Sequence, residues 1–351
     1  MLLKLNEKAA YIGTLGVLYK DKHININNTT PDILTLNKIL QTLYDEGIKY
    51  IVMEISSHAL CEKRINGLTL CSAGFTNLSQ DHLDYHLNMD NYLNAKLKIL
   101  KYLKGNIILN NDDETSYVFK KRYKNYITIG NNGLFKLNKY ELHQKSTTIN
   151  FDYLYDKYTI NIPYVGKHNV YNYLMALATM VNLNFDLENL INITNLLKPI
   201  RGRNELIKYN NSSIIIDYAH SPKAVEETLI TYNELKKGKI YTIIGCGGNR
   251  DKTKRPIMGS SACKYSDEVI FTSDNPRDED PKEILKDITT NLKYKNYIVI
   301  EDREKAIKKG VKLLKKNDIL LILGKGHETY QIKKNIKYHF DDKEIVLKYI
   351  N

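Results

Sequence analysis

The chain has 351 residues, enough for two ordinary domains, and its 42% hydrophobic and 26% charged content is that of a globular protein in water. The net charge of +12 comes from lysines dispersed among Asn, Ile and Tyr, which reads as a solvated surface and gives no reason to expect nucleic acid as a partner. No apolar run approaches the length of a bilayer span, the first residues lack a signal-peptide pattern, and Cys61, Cys71, Cys246 and Cys263 show neither Cys-x-x-Cys nor zinc-finger spacing. A cytoplasmic protein with reduced thiols and no membrane contact is expected.

Residues 9–18 read as one strand followed by a loop. Thr30 as N-cap, Pro31 in the first turn and Asp32 at the positive end of the dipole then open a helix. Apolar residues at 33, 34, 36, 39, 40 and 43 keep helical spacing, and Gly47 ends the run. Strand 49–55, strand 71–77 and helix 89–103 continue the alternation, which predicts a mostly parallel α/β sheet, with further strands at 106–110 and 126–130. Between about 133 and 164 short alternating runs predict antiparallel hairpins on the sheet's edge. Helices follow from Gly166 through Met180 and over 186–197. Pro199-Ile200-Arg201-Gly202-Arg203 is the expected boundary between a domain of residues 1–199 and one of 200–351.

The second part alternates again, with strands at 213–218, 240–245, 268–272, 297–300 and 319–323, and helices at 222–236, 254–265, 281–290 and 303–315. Its strands are buried-type apolar runs such as Ile319-Leu320-Leu321-Ile322-Leu323, which predicts a doubly wound, Rossmann-like domain. Four polar loops fall at strand carboxyl ends: Asp217-Tyr218-Ala219-His220, Gly245–Arg250, Ser273–Arg277 and Gly324–Glu328. In an open parallel sheet that rim is where ligands bind.

The motifs have sharp and bland readings. Gly245–Lys254 is neither Gly-x-x-x-x-Gly-Lys-Ser/Thr nor Gly-x-Gly-x-x-Gly, so only a tight turn offering N–H groups to an anion is expected, with Arg250 projecting from it. His82 and His86, at i and i+4 beside Asp81 and Asp84, read either as metal ligands on one helical face or as surface histidines. Glu54, ending an apolar strand, offers a hard oxygen suited to Mg²⁺, and Lys96 reads as a solvated lysine or as one modified to a carboxylate. Arg277 is a fork for a ligand carboxylate or for its neighbours Asp278, Glu279 and Asp280. Asp217 and His220 read as an acid–base pair, or Asp217 as a helix cap.

Taken together the motifs resemble the Mur ligase family, in particular its branch acting on UDP-MurNAc-L-Ala-D-Glu. The matching pieces are Tyr11-Ile12-Gly13-Thr14, Asn28-Thr29-Thr30-Pro31, Met53–Leu60, Phe75–His86 and Asn94-Ala95-Lys96, then His168–Asn172 and Gly202-Arg203. Asp217–Pro222, Gly245–Pro256, Asp274–Arg277 and Gly324–Glu328 complete them in family order. The resemblance implies ATP-dependent amide formation: a carboxylate is phosphorylated and an amino acid's amine attacks the acyl phosphate. It implies catalytic and Mg²⁺-holding roles for Glu54, His82 and Lys96, the last as a carbamate. Thr29, Thr30, Ser56 and Arg64 would contact the UDP-muramoyl peptide, and Asn169, Arg203, Asp217 and His220 the ATP. Arg250, Asp274, Asn275, Arg277, Gly324 and Glu328 would hold the incoming amino acid. That amino acid is expected to be meso-diaminopimelate, whose second carboxylate gives Arg277 a partner that lysine lacks. A monomer is implied.

The family pattern also has an N-terminal domain and a Gly-Thr-Asn-Gly-Lys-Thr-type phosphate loop ahead of the segment matching Ala9–Thr14. The expectation is therefore a Mur central domain incomplete at its start, with impaired ligation. Asn249 and Thr253 also depart from the pattern, where relatives often carry Asp and Gly. The alternative functions are a non-catalytic remnant that binds the amino acid or the UDP-muramoyl peptide, and a metal-dependent hydrolase built on Asp81–His86.

Overall fold

The structure, a computed structural model, describes residues 1–350. Its first sheet contains β1 (Ala9–Gly13), β2 (Gly16–Tyr19), β3 (Lys22–Ile24) and, after helix α1 (Ile33–Asp45), β4 (Tyr50–Met53). The strand order is β3-β2-β1-β4, and only β1 and β4 run parallel. Residues 9–18 are thus a hairpin and not one strand. Gly16, at φ +94°, takes the backbone through a turn that the apolar run concealed. Helix α1 is capped by Asp32, whose carboxylate accepts from Leu34 N and Thr35 N at 3.1 and 3.0 Å, so the expected cap, Thr30, is free for another task.

After helix α2 (Ser57–Cys61) a second sheet begins with β5 (Ala73–Phe75). Helices α3 (Leu83–His86) and α4 (Met89–Leu97), strand β6 (Ile107–Asn110), helix α5 (Ser116–Arg122) and strand β7 (Tyr126–Gly130) follow. The sheet is completed by β8 (Phe135–Leu142), β9 (Thr147–Tyr153) and β10 (Asp156–Ile162), in the order β10-β9-β8-β7-β6-β5. The parallel strands lie on one side and the expected antiparallel hairpins on the other edge. The predicted continuous parallel sheet is divided, because β4 and β5 do not pair and each ends its sheet. Ile99 packs against the apolar clusters of both sheets, so a shared helical layer joins what hydrogen bonds do not. Helices α6 (Lys167–Asn182) and α7 (Leu187–Asn192) cover the second sheet, with Val170, Leu174, Leu177 and Ala178 buried against Ile108, Ile129 and Ile149.

The third sheet holds β11 (Glu205–Tyr209), β12 (Ser212–Asp217), β13 (Ile240–Ile244), β14 (Glu268–Phe271), β15 (Tyr297–Val299) and β16 (Ile319–Leu323). Its order is β11-β12-β16-β13-β14-β15. All neighbours are parallel except the edge strand β11, which the sequence reading did not foresee. Helices α8 (Pro222–Leu235), α9 (Lys254–Tyr265), α10 (Pro281–Thr289) and α11 (Arg303–Leu313) fall close to their predicted spans. A hairpin of β17 (Tyr330–Lys333) and β18 (Ile336–His339) and helix α12 (Asp342–Ile350) lie beyond the predicted series. Every residue of β13 and β16 is buried, which explains the unbroken apolar runs: a strand covered on both faces has no polar side to alternate with.

Helix α12 is fixed by a charge pair. Arg303, fully buried, forks onto Asp342, also fully buried, at 2.8 and 2.8 Å, and donates to Leu323 O at 3.0 Å. Removing one member strands a desolvated charge. Arg303→Met is therefore expected to lower the unfolding free energy by about 3–5 kcal/mol in urea denaturation.

Candidate active site

The first wall of the site is built at the end of β4. Glu54 accepts hydrogen bonds from Tyr11 and, at 2.9 Å, from Thr14, whose hydroxyl also meets that of Thr29 at 3.1 Å. Burial, reinforced by the bond to Glu54, pushes the Tyr11 phenol up, so it stays a donor. Thr30, fully buried, donates to Glu54 O at 2.9 Å and accepts from Ser56 N at 3.1 Å. Ser56 Oγ caps α2 by accepting from Ala59 N at 3.1 Å. Arg64 donates to Thr30 O at 2.8 Å and forks onto Glu62 at 2.8 and 2.6 Å. Thr29, Thr30, Ser56 and Arg64, read from separate stretches of sequence, thus share one network with Glu54.

His82 and His86 do not form a metal pair on a helical face. His82 precedes α3 in a left-handed conformation at φ +55°, and His86 is buried with its Nε2 2.8 Å from Ser57 Oγ. Their rings face His58 from 5.2 and 5.6 Å. Burial pulls the imidazoles of His58, His82 and His86 below the ordinary range. Among the described residues no three His, Cys, Asp or Glu side chains converge as a metal cage. Lys96, whose Nζ lies 5.7 Å from the Tyr92 ring centre, has its ammonium pulled down by burial. Only a neutral amine adds to carbon dioxide, so Lys96 could form a carbamate, whose oxygens together with Glu54 and His82 could hold a hard cation.

Asp81 connects this wall to the C-terminal region. Its carboxylate lies 3.5 Å from His220 Nε2, 3.4 Å from Lys254 Nζ and 3.7 Å from His82 Nε2. Burial would push the carboxyl up, but the hydrogen bond from His220 and the charges of Lys254 and His82 outweigh it and hold Asp81 well below the usual carboxylate range. Beside it Gln80 donates to Asp251 and Thr253 at 3.0 and 2.9 Å, and Arg250 lies 4.0 Å from Asp84. The predicted Asp217–His220 pair is not formed. Asp217 accepts from Asn204 N and Ala219 N at 2.7 and 2.9 Å, while Ser221 caps α8, so Asp217 is neither His220's partner nor a cap.

Of the residues expected around ATP, Asn169 and Arg203 share a cleft where the regions meet, whereas Asp217 and His220 line neither it nor the cleft beside His168. The shared cleft has a volume of about 460 Å³. Asn169 turns its amide back onto Val165 O at 2.8 Å, and Arg203 lies 4.5 Å from the Tyr218 ring centre. Gly202, at φ +66°, approaches so closely that a Cβ would sit 2.1 Å from His327 N. The second cleft, about 110 Å³, is lined by Asn110, Asp113, His168 and Asn172, to none of which the sequence reading gave a binding role. The adjacency of His168 to Asn169 and of Asn172 in the same turn of α6 was the available signal.

On the C-terminal rim, Arg277 resolves one ambiguity. Its Nη1 donates to Gly248 O at 2.9 Å and lies 3.4 Å from Asn275 O, and it forms no ion pair among the described residues. Asp278, Glu279 and Asp280 are turned elsewhere, Glu279 onto Arg255 and Asp280 onto the start of α10. Burial and the neighbouring Arg250 lower the Arg277 guanidinium, so an added carboxylate would be welcome. Asn275 donates to Glu328 at 2.8 Å, and the fully buried Lys325 reaches Asn275 Oδ1 at 3.3 Å, Glu328 at 3.0 Å and Tyr330 O. Gly324, at φ +110°, brings the chain to Asp274, where a Cβ would lie 2.7 Å from Oδ2. Lys325 escaped the sequence reading because a lysine is ordinarily a surface residue. Three N–H groups of the Gly245–Lys254 turn are taken up by the protein itself and so are not offered to an anion. Gly248 N binds Asn275 O at 2.9 Å, Asn249 N binds Glu279 at 2.5 Å and Thr253 N binds Asp251 at 2.9 Å.

Two α/β units whose polar strand ends meet across a charged seam are the architecture of a ligase that brings two substrates together. Residues 1–180 match the family model of the Mur ligase middle domain, and residues 202–326 that of the Mur ligase glutamate ligase domain. The chain belongs to the Mur ligase family of ATP-dependent ligases. It is 41% identical over 357 residues to UDP-N-acetylmuramoyl-L-alanyl-D-glutamate–2,6-diaminopimelate ligase 1 of Clostridium acetobutylicum, covering 100% of this chain and 74% of that protein. To the corresponding ligase of Rickettsia bellii it is 42% identical over 359 residues, covering 97% and 74%. A solved structure of a ligase of the same description superposes with a TM-score of 0.68 at 30% identity, covering 99% of this chain and 74% of that one. The MurF ligase of Thermotoga maritima in complex with ADP shares the fold at a TM-score of 0.73 and 19% identity, with coverage of 99% and 74%.

The loop carrying Arg250 is braced by Arg255, fully buried, which binds Glu279 at 2.9 Å through both Nη atoms and Asp287 at 2.7 Å. The bond from Arg255 depresses the Glu279 carboxyl from 4.5 to about 2. A depressed carboxyl contributes stability that is full above its unfolded value and lost as pH falls through its folded one. The stability difference between wild type and Glu279→Gln is expected to be largest above pH 4.5 and to shrink as pH approaches about 2, measured by urea denaturation across that range.

Proposed function

We propose that this chain adds meso-diaminopimelate to UDP-MurNAc-L-Ala-D-Glu in peptidoglycan precursor synthesis. The observation that carries this reading is the Arg277 guanidinium, half-buried on the rim, bound only to carbonyl oxygens and without a carboxylate partner among the described residues. An amino acid with a second carboxylate completes it, whereas lysine would present an ammonium there. The names of the relatives, diaminopimelate ligases at about 40% identity, support the same assignment.

In this reading the γ-phosphoryl group of ATP passes to the terminal carboxylate of the muramoyl peptide, and the diaminopimelate amine displaces phosphate from the acyl phosphate to leave an amide. Thr29, Thr30, Ser56 and Arg64 face the muramoyl peptide, and Asn169, Arg203, Asp217 and His220 surround the nucleotide. Arg250, Asp274, Asn275, Arg277, Gly324 and Glu328 seat the amino acid, with Asn275 and Glu328 oriented by Lys325. Glu54, the Lys96 carbamate and His82 would hold Mg²⁺, which supplies charge neutralisation at the phosphoryl oxygens. The two oxygen donors suit that hard cation better than the imidazole does. Most of the protein's contribution is placement of the two substrates and electrostatic preorganisation. The division into domains of residues 1–199 and 200–351 places a substrate on each, and the enzyme works as a cytoplasmic monomer. No helix among the described residues is long and apolar enough to cross a membrane.

Calorimetric titration tests the amino-acid assignment. The chain is expected to bind meso-diaminopimelate at least about 10²-fold more tightly than lysine, and Arg277→Ala to abolish that preference, the loss of a charge-assisted pair being worth roughly 3 kcal/mol. Equal binding of the two amino acids would refute the assignment, and ATP-dependent amide formation assayed on the same sample separates a ligase from a chain that only binds. For Lys96, carbon-13 NMR after addition of labelled bicarbonate is expected to show one carbamate resonance that disappears in Lys96→Gln. Because burial lowers the amine, the signal should already form at a pH where exposed lysines remain protonated.

A further inference from the structure

A third cleft lies on the face of the C-terminal sheet opposite the rim that carries the proposed chemistry. It opens at the amino-terminal ends of β12 and β16, beside Ser213 and Ile319, and has a volume of about 400 Å³. At ~3.3 Å per residue, Ser213 stands about 13 Å along β12 from Asp217, so the cleft is separate from the catalytic loops. Its floor is apolar, formed by Leu206, Tyr232 and Leu235, and its rim carries Lys208, Lys237 and Lys316 with no Asp or Glu in the lining.

These lysines are uncompensated. None of them forms an ion pair among the described residues, although lysines elsewhere on the chain do. Lys208 donates only to neutral oxygens, Gln144 Oε1 and Ser213 Oγ, each at 3.0 Å. The adjacent carboxylate, Asp318, is committed to the backbone N–H groups of Lys239 and Lys315, at 2.8 and 2.8 Å. Burial, with Lys145 nearby, pulls the Lys208 ammonium down.

We propose that this cleft binds a small organic phosphate bearing an apolar ring, the ring against Leu206, Tyr232 and Leu235 and the phosphate against Lys208, Lys237 and Lys316. A dianion can pair with more than one of the three lysines that line the cleft, whereas a single carboxylate would leave most of the charge unpaired. The volume falls within the range of small-molecule sites, and a lining that is mostly polar with one apolar patch suits a charged ligand that carries a ring. Gln144 belongs to the turn between β8 and β9, so the cleft joins the N-terminal region to the C-terminal one. A ligand that needs both favours the arrangement in which they meet.

The test is calorimetric titration of the full chain with phenyl phosphate, inorganic phosphate and benzoate in separate runs at low salt. Phenyl phosphate is expected to bind most tightly, with inorganic phosphate and benzoate each weaker by about fivefold or more. The triple variant Lys208→Gln, Lys237→Gln, Lys316→Gln is expected to weaken phenyl phosphate by at least about tenfold, and added salt to weaken it in the wild type. The single variants Lys237→Gln and Lys316→Gln change exposed side chains without known structural bonds, and each should weaken binding about threefold. Unchanged binding of phenyl phosphate in the variants, or inorganic phosphate binding as tightly as phenyl phosphate, overturns the proposal.

Discussion

The structure depends on one ionised carboxylate. Asp81 belongs to the N-terminal region, yet two of its three basic neighbours, His220 and Lys254, come from the C-terminal one. Lys254 is nearly buried and begins α9, so its charge could not be left without a partner at low cost. The same contact fixes where His82 stands relative to His220. Gln80, reaching Asp251 and Thr253, repeats the connection. Polar contacts thus tie the two regions together at this seam.

The C-terminal rim shows how a buried sheet produces a polar site. Strands β12, β13, β14 and β16 are buried along most of their length and lie side by side, so four polar loops emerge next to one another. Within them Lys325 is the interior strut. It gives its protons to Asn275, Glu328 and a backbone carbonyl and so fixes two residues of the proposed amino-acid pocket. Arg277 is left the role the neighbours do not fill, because Glu279 is spent on Arg255 and Asp278 on Asn249.

The parts of this molecule legible in sequence are those governed by local periodicity. Helix α9 and strand β16 match their predicted bounds, the strand because it is an uninterrupted apolar run. The errors arise where a local pattern had two solutions. Residues 9–18 fold as a hairpin because Gly16 adopts a positive φ, and α1 starts at the carboxylate of Asp32 because Thr30 is drawn to Glu54 and Ser56. The edge strand β11 was invisible because strands paired on one side carry little apolar signal. The division of the N-terminal sheet between β4 and β5 is a matter of which strands pair, on which a strand's own composition is silent.

The sequence by itself determined the α/β class, the strand-end placement of nearly every polar motif and, through the order of those motifs, the family. These follow from spacing along the chain, which hydrophobic burial and turn chemistry convert directly into strands, helices and loops. Only the tertiary structure decided the partners. It gave His220 to Asp81 and not to Asp217, turned the N–H groups of Gly248, Asn249 and Thr253 onto protein acceptors, and left Arg277 without a carboxylate among the described residues. Charges and hydrogen-bond donors find partners by distance in space, and residues such as 81 and 254 are far apart in every coordinate except that one.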